Sequence, residues 1–494
     1  MILVYDIGTT SVKGAVFNIN GEMLARAVSP VRLKTGSNPL INECDPNGWL
    51  TAIGIINTQL EIKKLQSENR EKIRAIVVSG NGPTLVPVNK RGDPLNYALT
   101  WLDRRAVVES ESISKITGDY VDPSFFLPKA YWFYKNKKAL YNKTEHFLPC
   151  PDFINYFFTG NAFAALPGDA FKKYMWDPKD VEILGMDARK FPEFIRPGEN
   201  IGKVRREAEE RLGVPVGTPV ITGGPDFVMS LLGTATVVPG RACDRSGTSE
   251  GINLCSDIPV NDKRLLSLPH VIEGLYNISG IISTSGKALV WFKNITGKKN
   301  LDYETLFEEL CEVPPGSSKL VFLPYLAGER SPIWDPDARG TFIGLNLNHG
   351  RKEMMRAVVE SVGFAIRDIV EIMEENNFTV EDLRVTGGQS KSPLWNQIKA
   401  DITGKNILLP DCTDAELKGN TSVALYNLGY YPSLMEAADK TFRVKKVFKP
   451  QKKLKNLYDE LFSVYRESYR GLKNVFKKLS KISFKEGKWQ SENQ

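Results

Sequence analysis

Two segments of this chain, half its length apart, carry one pattern: Asp6-Ile7-Gly8-Thr9-Thr10-Ser11 and Asp244-Arg245-Ser246-Gly247-Thr248-Ser249. Each sets an Asp before a Gly-Thr turn that ends in Ser. Strand-forming residues flank the first turn, with Ile2 to Tyr5 before it and Ala15, Val16 and Phe17 after it. Glycine at such a turn admits positive φ and lets the backbone approach a ligand closely. The exposed N–H groups and hydroxyls then form an anion-binding concavity. One copy alone reads as an ordinary glycine turn. Two copies, starting at residues 6 and 244 of 494, read as a duplication, and predict two similar domains gripping one nucleotide polyphosphate.

The length of 494 residues suits two or three domains. No run of about 18 apolar residues occurs, so no membrane span is expected. The strand at Ile2 begins directly after Met1 and leaves no room for a signal peptide. The six Cys are scattered without a CxxC pair. That argues against a disulfide framework or a zinc site and predicts a cytoplasmic protein. With three His in the chain, histidine-based catalysis is not expected.

The net charge of +7 invites a nucleic-acid reading, but the charge is local. Residues 443–494 hold 15 Lys/Arg against 5 Asp/Glu, while the rest of the chain is slightly acidic. That basic stretch carries Leu454, Leu457, Leu461, Val464, Tyr465, Leu472, Val475, Phe476 and Leu479 at helical spacing. It predicts an amphipathic helix packed on the body with a solvated Lys face, and neither a nucleic-acid nor a membrane partner.

Strands alternate with helices in both halves, which indicates α/β domains. Residues 73–79 form a buried strand entering the turn Gly80-Asn81-Gly82-Pro83. Pro219 to Thr222 form another, ending at Gly223-Gly224-Pro225-Asp226. Ser285-Gly286-Lys287 marks a strand-to-helix junction, and Lys352 to Glu375 a long buried helix. Residues 383–386 form a strand that ends at Gly387-Gly388, with Ser392 as N-cap and Pro393 opening the next helix. No GxxxxGK[ST] segment exists, so ATP would have to bind without a P-loop.

Asp226 is the main catalytic candidate. It sits at a strand's carboxyl end, where α/β sheets bind ligands, and a carboxylate there can accept a hydroxyl proton. A helix N-cap is the equally weighted alternative. Asp6 suits Mg²⁺, which takes few carboxylates and keeps several waters; the alternative is an Asp that caps its turn. Lys13 could neutralise phosphate or be a surface lysine. Gly387-Gly388 could let a nucleotide lie on the backbone or be a plain turn. The loop from Glu329 to Gly340 is too rich in Pro and charge to be core.

These segments resemble the FGGY carbohydrate kinases over nearly the whole chain. The resemblance rests on residues 6–14 (DIGTTSVKG), 101–105 (WLDRR), 223–226 (GGPD) and 246–249 (SGTS). It continues through 324–345 (PYLAGERSPIWDPDARGTFIGL), 387–404 (GGQSKSPLWNQIKADITG) and a closing region around Glu416 and Gly419. It implies an α/β protein of two ribonuclease-H-like domains, the actin/hexokinase fold, around a deep cleft. An N-terminal domain of residues 1–240 would hold the sugar site and base. A C-terminal domain of residues 241–494 would hold the nucleotide and end in a basic helical tail from about 450. The reaction implied is γ-phosphate transfer from ATP, with Mg²⁺, to a ketose or polyol.

Carried over by residue, the resemblance makes Asp226 the base and puts Asp6 near the metal, with Asp6 and Asp226 as the metal candidates. Gly8, Thr9, Thr10, Lys13, Gly247, Thr248, Gly286, Gly387, Gly388 and Ser392 become nucleotide contacts. Asn81, Pro83, Trp101, Asp226 and Phe227 become substrate contacts. The sugar site departs from the family's patterns. Xylulose kinases carry Gln-x-His-Gly where this chain has Asn81-Gly82-Pro83-Thr84. Glycerol kinases carry Arg-Glu at Gly82-Pro83, and Gln where Phe227 stands. The GERSP loop and SPLW turn lean toward the xylulose kinase branch. The expected partner is a small sugar or polyol, with a homodimer left open. The competing readings are a glycerol- or other polyol-type kinase of the same family, a non-catalytic actin-like nucleotide-binding protein, and a nucleic-acid regulator that uses the basic tail.

Overall fold

The structure, a computed structural model, describes residues 1–35, 38–62 and 72–482. The last residues of the expected tail, 483–494, lie outside this range. The chain divides into two compact units. The first comprises Met1–Val237, Pro269–Leu275 and Asp414–Arg443; the second comprises Val238–Leu268, Tyr276–Thr413 and Val444–Gln494.

Unit 1 is built on β1 (Ile2–Ile7), β2 (Ser11–Phe17), β3 (Met23–Pro30), β4 (Ala75–Gly80), β5 (Asn200–Lys203) and β6 (Pro219–Pro225), in the sheet order β5-β6-β4-β1-β2-β3. β1 and β2 form the first predicted hairpin, with Asp6 opposite Lys13. β1 and β4 run parallel, with Asp6 opposite Ser79. All six residues of β1 and of β4 are buried. Such continuous apolar runs are what strands covered on both faces require. The helices Pro46–Gln59 (α1) and Cys150–Thr159 (α2) contribute Trp49, Ile53, Ile56, Phe153, Ile154 and Phe158 to this core.

Unit 2 repeats the topology. Its strands are β7 (Arg241–Ser246), β8 (Glu250–Ser256), β9 (Leu266–Pro269), β10 (Tyr276–Ile282), β11 (Asp382–Gly387), β12 (Asn406–Pro410) and β13 (Val444–Phe448), in the order β9-β10-β8-β7-β11-β12-β13. β7 and β8 form the second hairpin, and β7 runs parallel to β11 as β1 does to β4. An antiparallel hairpin followed by a parallel strand is thus the motif that the duplicated sequence encodes.

Asp226–Gly233 (α3) belongs to unit 1. Gly286–Ile295 (α4), Arg351–Glu375 (α5) and Pro393–Thr403 (α6) belong to unit 2. Pro393 opens α6, and the Ser392 hydroxyl caps it by accepting from Trp395 N at 3.3 Å. The helix Ala415–Asn427 (α7) departs from a single cut near residue 240, because it packs in unit 1 against α3. A Cβ on Gly419 would lie 2.0 Å from Met229 O, so only glycine permits this approach. The C-terminal helix Lys455–Ser480 (α8) buries Tyr458, Leu461, Phe462, Tyr465, Tyr469 and Phe476 in the core of unit 2.

Candidate functional site

Unit 1 assembles an acidic centre at the carboxyl ends of β1 and β6. Asp6 is 3% exposed, and its Oδ1 accepts from Ser79 Oγ at 2.9 Å. The Ser79 hydroxyl also accepts from Asn420 Nδ2 at 2.9 Å, which ties α7 to the sheet. Burial, followed by the Glu416 charge, pushes the Asp6 carboxyl up to about 7; Lys13 opposes this and Asp226 adds to it. Lys13 Nζ lies 3.1 Å from Asp414 Oδ1 and 3.6 Å from Glu416 Oε2. Burial would lower its pKa, but the charges of Glu416, Asp6 and Asp414 outweigh that and raise it. Lys13, assigned from the sequence to phosphate, is therefore engaged here by carboxylates of its own unit. Asp414 also pairs with Arg26 Nε at 2.5 Å.

Asp226 is the first residue of α3, directly after the Gly-Gly-Pro end of β6. It is half-buried, and its Oδ1 accepts from Phe227 N at 2.5 Å. One turn on, Ser230 Oγ bonds to Asp226 O at 3.0 Å and to Glu416 Oε1 at 3.1 Å. Glu416 and Asp414 escape sequence reasoning as site residues. They lie about 190 residues beyond Asp226, and no spacing rule connects them.

The candidate substrate residues gather beside this centre. Asn81 is buried and both ends of its amide are taken up by protein groups: Nδ2 donates to Ile7 O at the end of β1 at 2.8 Å and Oδ1 accepts from Thr84 Oγ1 at 2.5 Å. Trp101 is 40% exposed; its Nε1 donates to Thr9 Oγ1 at 3.0 Å and its N to Thr84 Oγ1 at 3.1 Å. The first hairpin, the turn at 81–84 and the WLDRR segment therefore meet. Gly8 N closes the hairpin on Ser11 O at 2.9 Å, and Thr10 is exposed. Pro83 is half-buried, and its carbonyl accepts from Lys129 Nζ at 2.7 Å. Lys129 has no exposed surface, it also donates to Thr100 O at 2.6 Å, and burial pulls its pKa down to about 7. As a lone lysine on a helix it offered no signal in the sequence. Phe227 is half-buried, with its ring 6.2 Å from that of Phe171.

Unit 2 holds a separate cavity of about 1070 Å³, large enough for a nucleotide. Five of the residues that the sequence assigns to the nucleotide, Gly247, Thr248, Gly286, Gly388 and Ser392, line it together with Leu289, Phe307 and Trp395, while Gly387 of the same set does not. The second hairpin is tied to the start of α4: Ser285 N and Lys287 N donate to Thr248 O at 3.2 and 3.3 Å, and Gly286 N donates to Gly247 O at 3.1 Å. Gly387 has φ +84°, and a Cβ there would lie 1.9 Å from Ser246 O. This is why β11 can end flush against the hairpin. Around Gly388 nothing lies within 4 Å of a would-be Cβ, so its face is open. Gln389, unassigned from the sequence, also lines the cavity.

Among the described residues no helix is long and apolar enough to cross a membrane. The N-terminal domain of the FGGY family of carbohydrate kinases matches residues 1–233, and the C-terminal domain of that family matches residues 245–428. A xylulose kinase of Staphylococcus epidermidis is 27% identical, over 98% of this chain and 99% of that protein. A gluconate kinase structure from Lactobacillus acidophilus superposes with a TM-score of 0.82 at 26% identity, covering 97% of this chain and 99% of that one. A ligand-bound xylulose kinase structure from the same species gives 0.81 at 25% identity, covering 97% and 100%.

Proposed function

The chain belongs to the FGGY family of carbohydrate kinases and is an ATP-dependent sugar phosphotransferase, and we propose that its acceptor is a neutral ketose or polyol, in the manner of the xylulose kinases. The observation that carries this reading is the joining of Asp226, Asp6, Trp101 and the turn at 81–84 in one unit, with no charged side chain on that turn. Asp226 would take the proton of the attacking hydroxyl as general base. Its place at the start of α3 holds it at a strand end, where ligands approach. The Trp101 indole, half-exposed and anchored by Thr9, offers a flat face to a sugar. Phe227 presents an apolar surface where an amide would recognise a different set of hydroxyls.

The donor set of unit 1 fits Mg²⁺. Asp6, Asp226 and Glu416 put three carboxylates near one lysine, and this excess of negative charge helps to raise Asp6. Among the described residues no group of three or more His, Cys, Asp or Glu is placed to hold a metal ion by itself. Mg²⁺ needs none, since it binds through one or two carboxylates, waters and substrate phosphates. Asp6 and Asp226 would hold it, and when bound it neutralises phosphate charge. The cavity lined by Gly247, Gly286 and Gly388 is the nucleotide site of this reading, with the apolar wall of Leu289, Phe307 and Trp395 suited to a base.

Coupled ADP release, screened over ketoses, polyols and sugar acids with Mg²⁺, tests the proposal. Turnover should appear with a neutral ketose or polyol. Turnover confined to gluconate would transfer the assignment to the acid-sugar branch of the relatives.

A further inference from the structure

Beneath the nucleotide cavity of unit 2 runs a buried chain of hydrogen bonds. It begins at Lys399, which is 1% exposed and stands between Asp244 Oδ2 at 2.6 Å and Glu250 Oε1 at 2.5 Å. An ammonium can only donate, so Glu250 accepts from it. Burial would push the Glu250 carboxyl up, but the Lys399 charge overcomes this and holds it low, hence ionised. The other oxygen of an ionised carboxylate must also accept, so Ser285 Oγ donates its single proton to Glu250 Oε2. With that proton spent, the Ser285 oxygen is left as an acceptor. Its remaining neighbour is Gln389 Nε2 at 2.6 Å, whose other contact is a second acceptor, Gly247 O at 3.4 Å.

The two ends of a glutamine amide are assigned from their hydrogen-bond partners. Here both neighbours of one end are acceptors, so that end is the NH₂ group. Gln389 Oε1 is then fixed as the other end. It is buried, Gln389 as a whole is only 8% exposed, and among the described residues no group satisfies this oxygen. Gln389 lines the cavity, so a donor on a bound ligand would satisfy this oxygen. An ionised triphosphate carries no donor. A nucleotide's donors are its ribose hydroxyls and, on adenine, the amino group. Gln389 touches the hairpin residue Gly247, while the surface suited to a base is the wall of Leu289, Phe307 and Trp395. We infer that Gln389 Oε1, oriented by the Lys399–Glu250–Ser285 relay, accepts a hydrogen bond from a ribose hydroxyl and so selects ribonucleotides over their deoxy counterparts.

This rests on reading the cavity as the nucleotide site, and direct binding tests it separately from sugar turnover. Calorimetry on the full chain without sugar compares ATP, 2′-deoxyATP, 3′-deoxyATP and the purine riboside triphosphate that lacks the amino group. In the wild type one of the two deoxynucleotides should bind about tenfold more weakly than ATP, as expected when a buried acceptor loses its donor. In Gln389→Met, which keeps the length of the side chain, that difference should shrink to within about twofold. Gln389→Leu repeats the test should the Met variant fail to fold. No discrimination in the wild type, or discrimination that survives both substitutions, overturns the inference. So does a Gln389-dependent penalty that follows the amino group instead of a hydroxyl. Failure of the wild type to bind ATP at all would remove the nucleotide reading of the cavity, and this inference with it.

Discussion

At the scale of single residues, two carboxylates make opposite predictions. Asp226 is proposed to act on the substrate proton, so Asp226→Asn should keep the fold and ATP binding while kcat falls by about 10²–10⁴. If purified Asp226→Asn keeps kcat within about threefold of wild type, it is not the essential base. Asp152 is buried on α2, where it accepts from Ala165 N at 3.0 Å and Asn155 Nδ2 at 3.3 Å. Burial raises its carboxyl from 3.8 to about 7, outweighing those two hydrogen bonds. The native state therefore keeps this proton after the unfolded chain has lost it. The stability linked to it is fully present below about pH 4 and is lost as the pH rises through about 7. Asp152→Asn cannot ionise, so its melting temperature should gain on wild type between pH 5 and pH 8. Parallel melting curves for the two proteins over that range would show that Asp152 does not titrate as described.

At the scale of elements, α8 carries a clear expectation. Six of its side chains enter the core, and three hydroxyls are specifically bonded: Tyr458 to Glu360 Oε1 at 2.9 Å, Tyr465 to Tyr325 at 2.7 Å and Tyr469 to Asp335 Oδ2 at 2.8 Å. Glu360 is itself paired with buried Arg356 at 2.8 Å, so removing Tyr458 disturbs a buried ion pair. Burying each large side chain contributes about 1.5–3 kcal/mol, so six together rival the roughly 5–15 kcal/mol by which a domain is stable. Truncation after Lys449 should give insoluble protein or a clearly lower melting temperature. A truncated protein of unchanged stability that has lost affinity for RNA or DNA would instead make the basic face a binding arm.

At the scale of the whole molecule, the prediction concerns selectivity. A site built around particular hydroxyls rejects an analogue lacking one by as much as about 10⁴. The turn at 81–84 has neither an Arg-Glu pair nor a His, and Asn81 spends its amide on Ile7 O and Thr84. Ranking kcat/KM over glycerol, xylulose, ribulose, erythritol, fuculose, rhamnulose and gluconate should put a ketose or a longer polyol first and glycerol far behind. Pro83 in place of His predicts that xylulose itself is not favoured over related pentuloses. Glycerol or gluconate as the clear best substrate would sink this ranking.

What was legible in the sequence is what neighbours along the chain encode. Both hairpins, the Gly-Gly strand ends, the Ser392 cap and the amphipathic α8 follow from turn chemistry and from periods of 2 and 3.6 residues. Repetition of the hairpin was enough to announce two similar units. The tertiary structure decided whatever depends on partners distant in sequence. Asp414 and Glu416 reach Lys13 from about 400 residues away, which gives that lysine its partners and lifts Asp6. Lys399 orients Gln389 through Glu250 and Ser285, residues more than 100 positions upstream. Residues 414–443 join unit 1 because Gly419 lets α7 sit directly on α3. A local pattern can specify a turn or a helix face. Burial, and the pKa values and hydrogen-bond directions that follow from it, are properties of packing, and packing is settled only when the whole chain has folded.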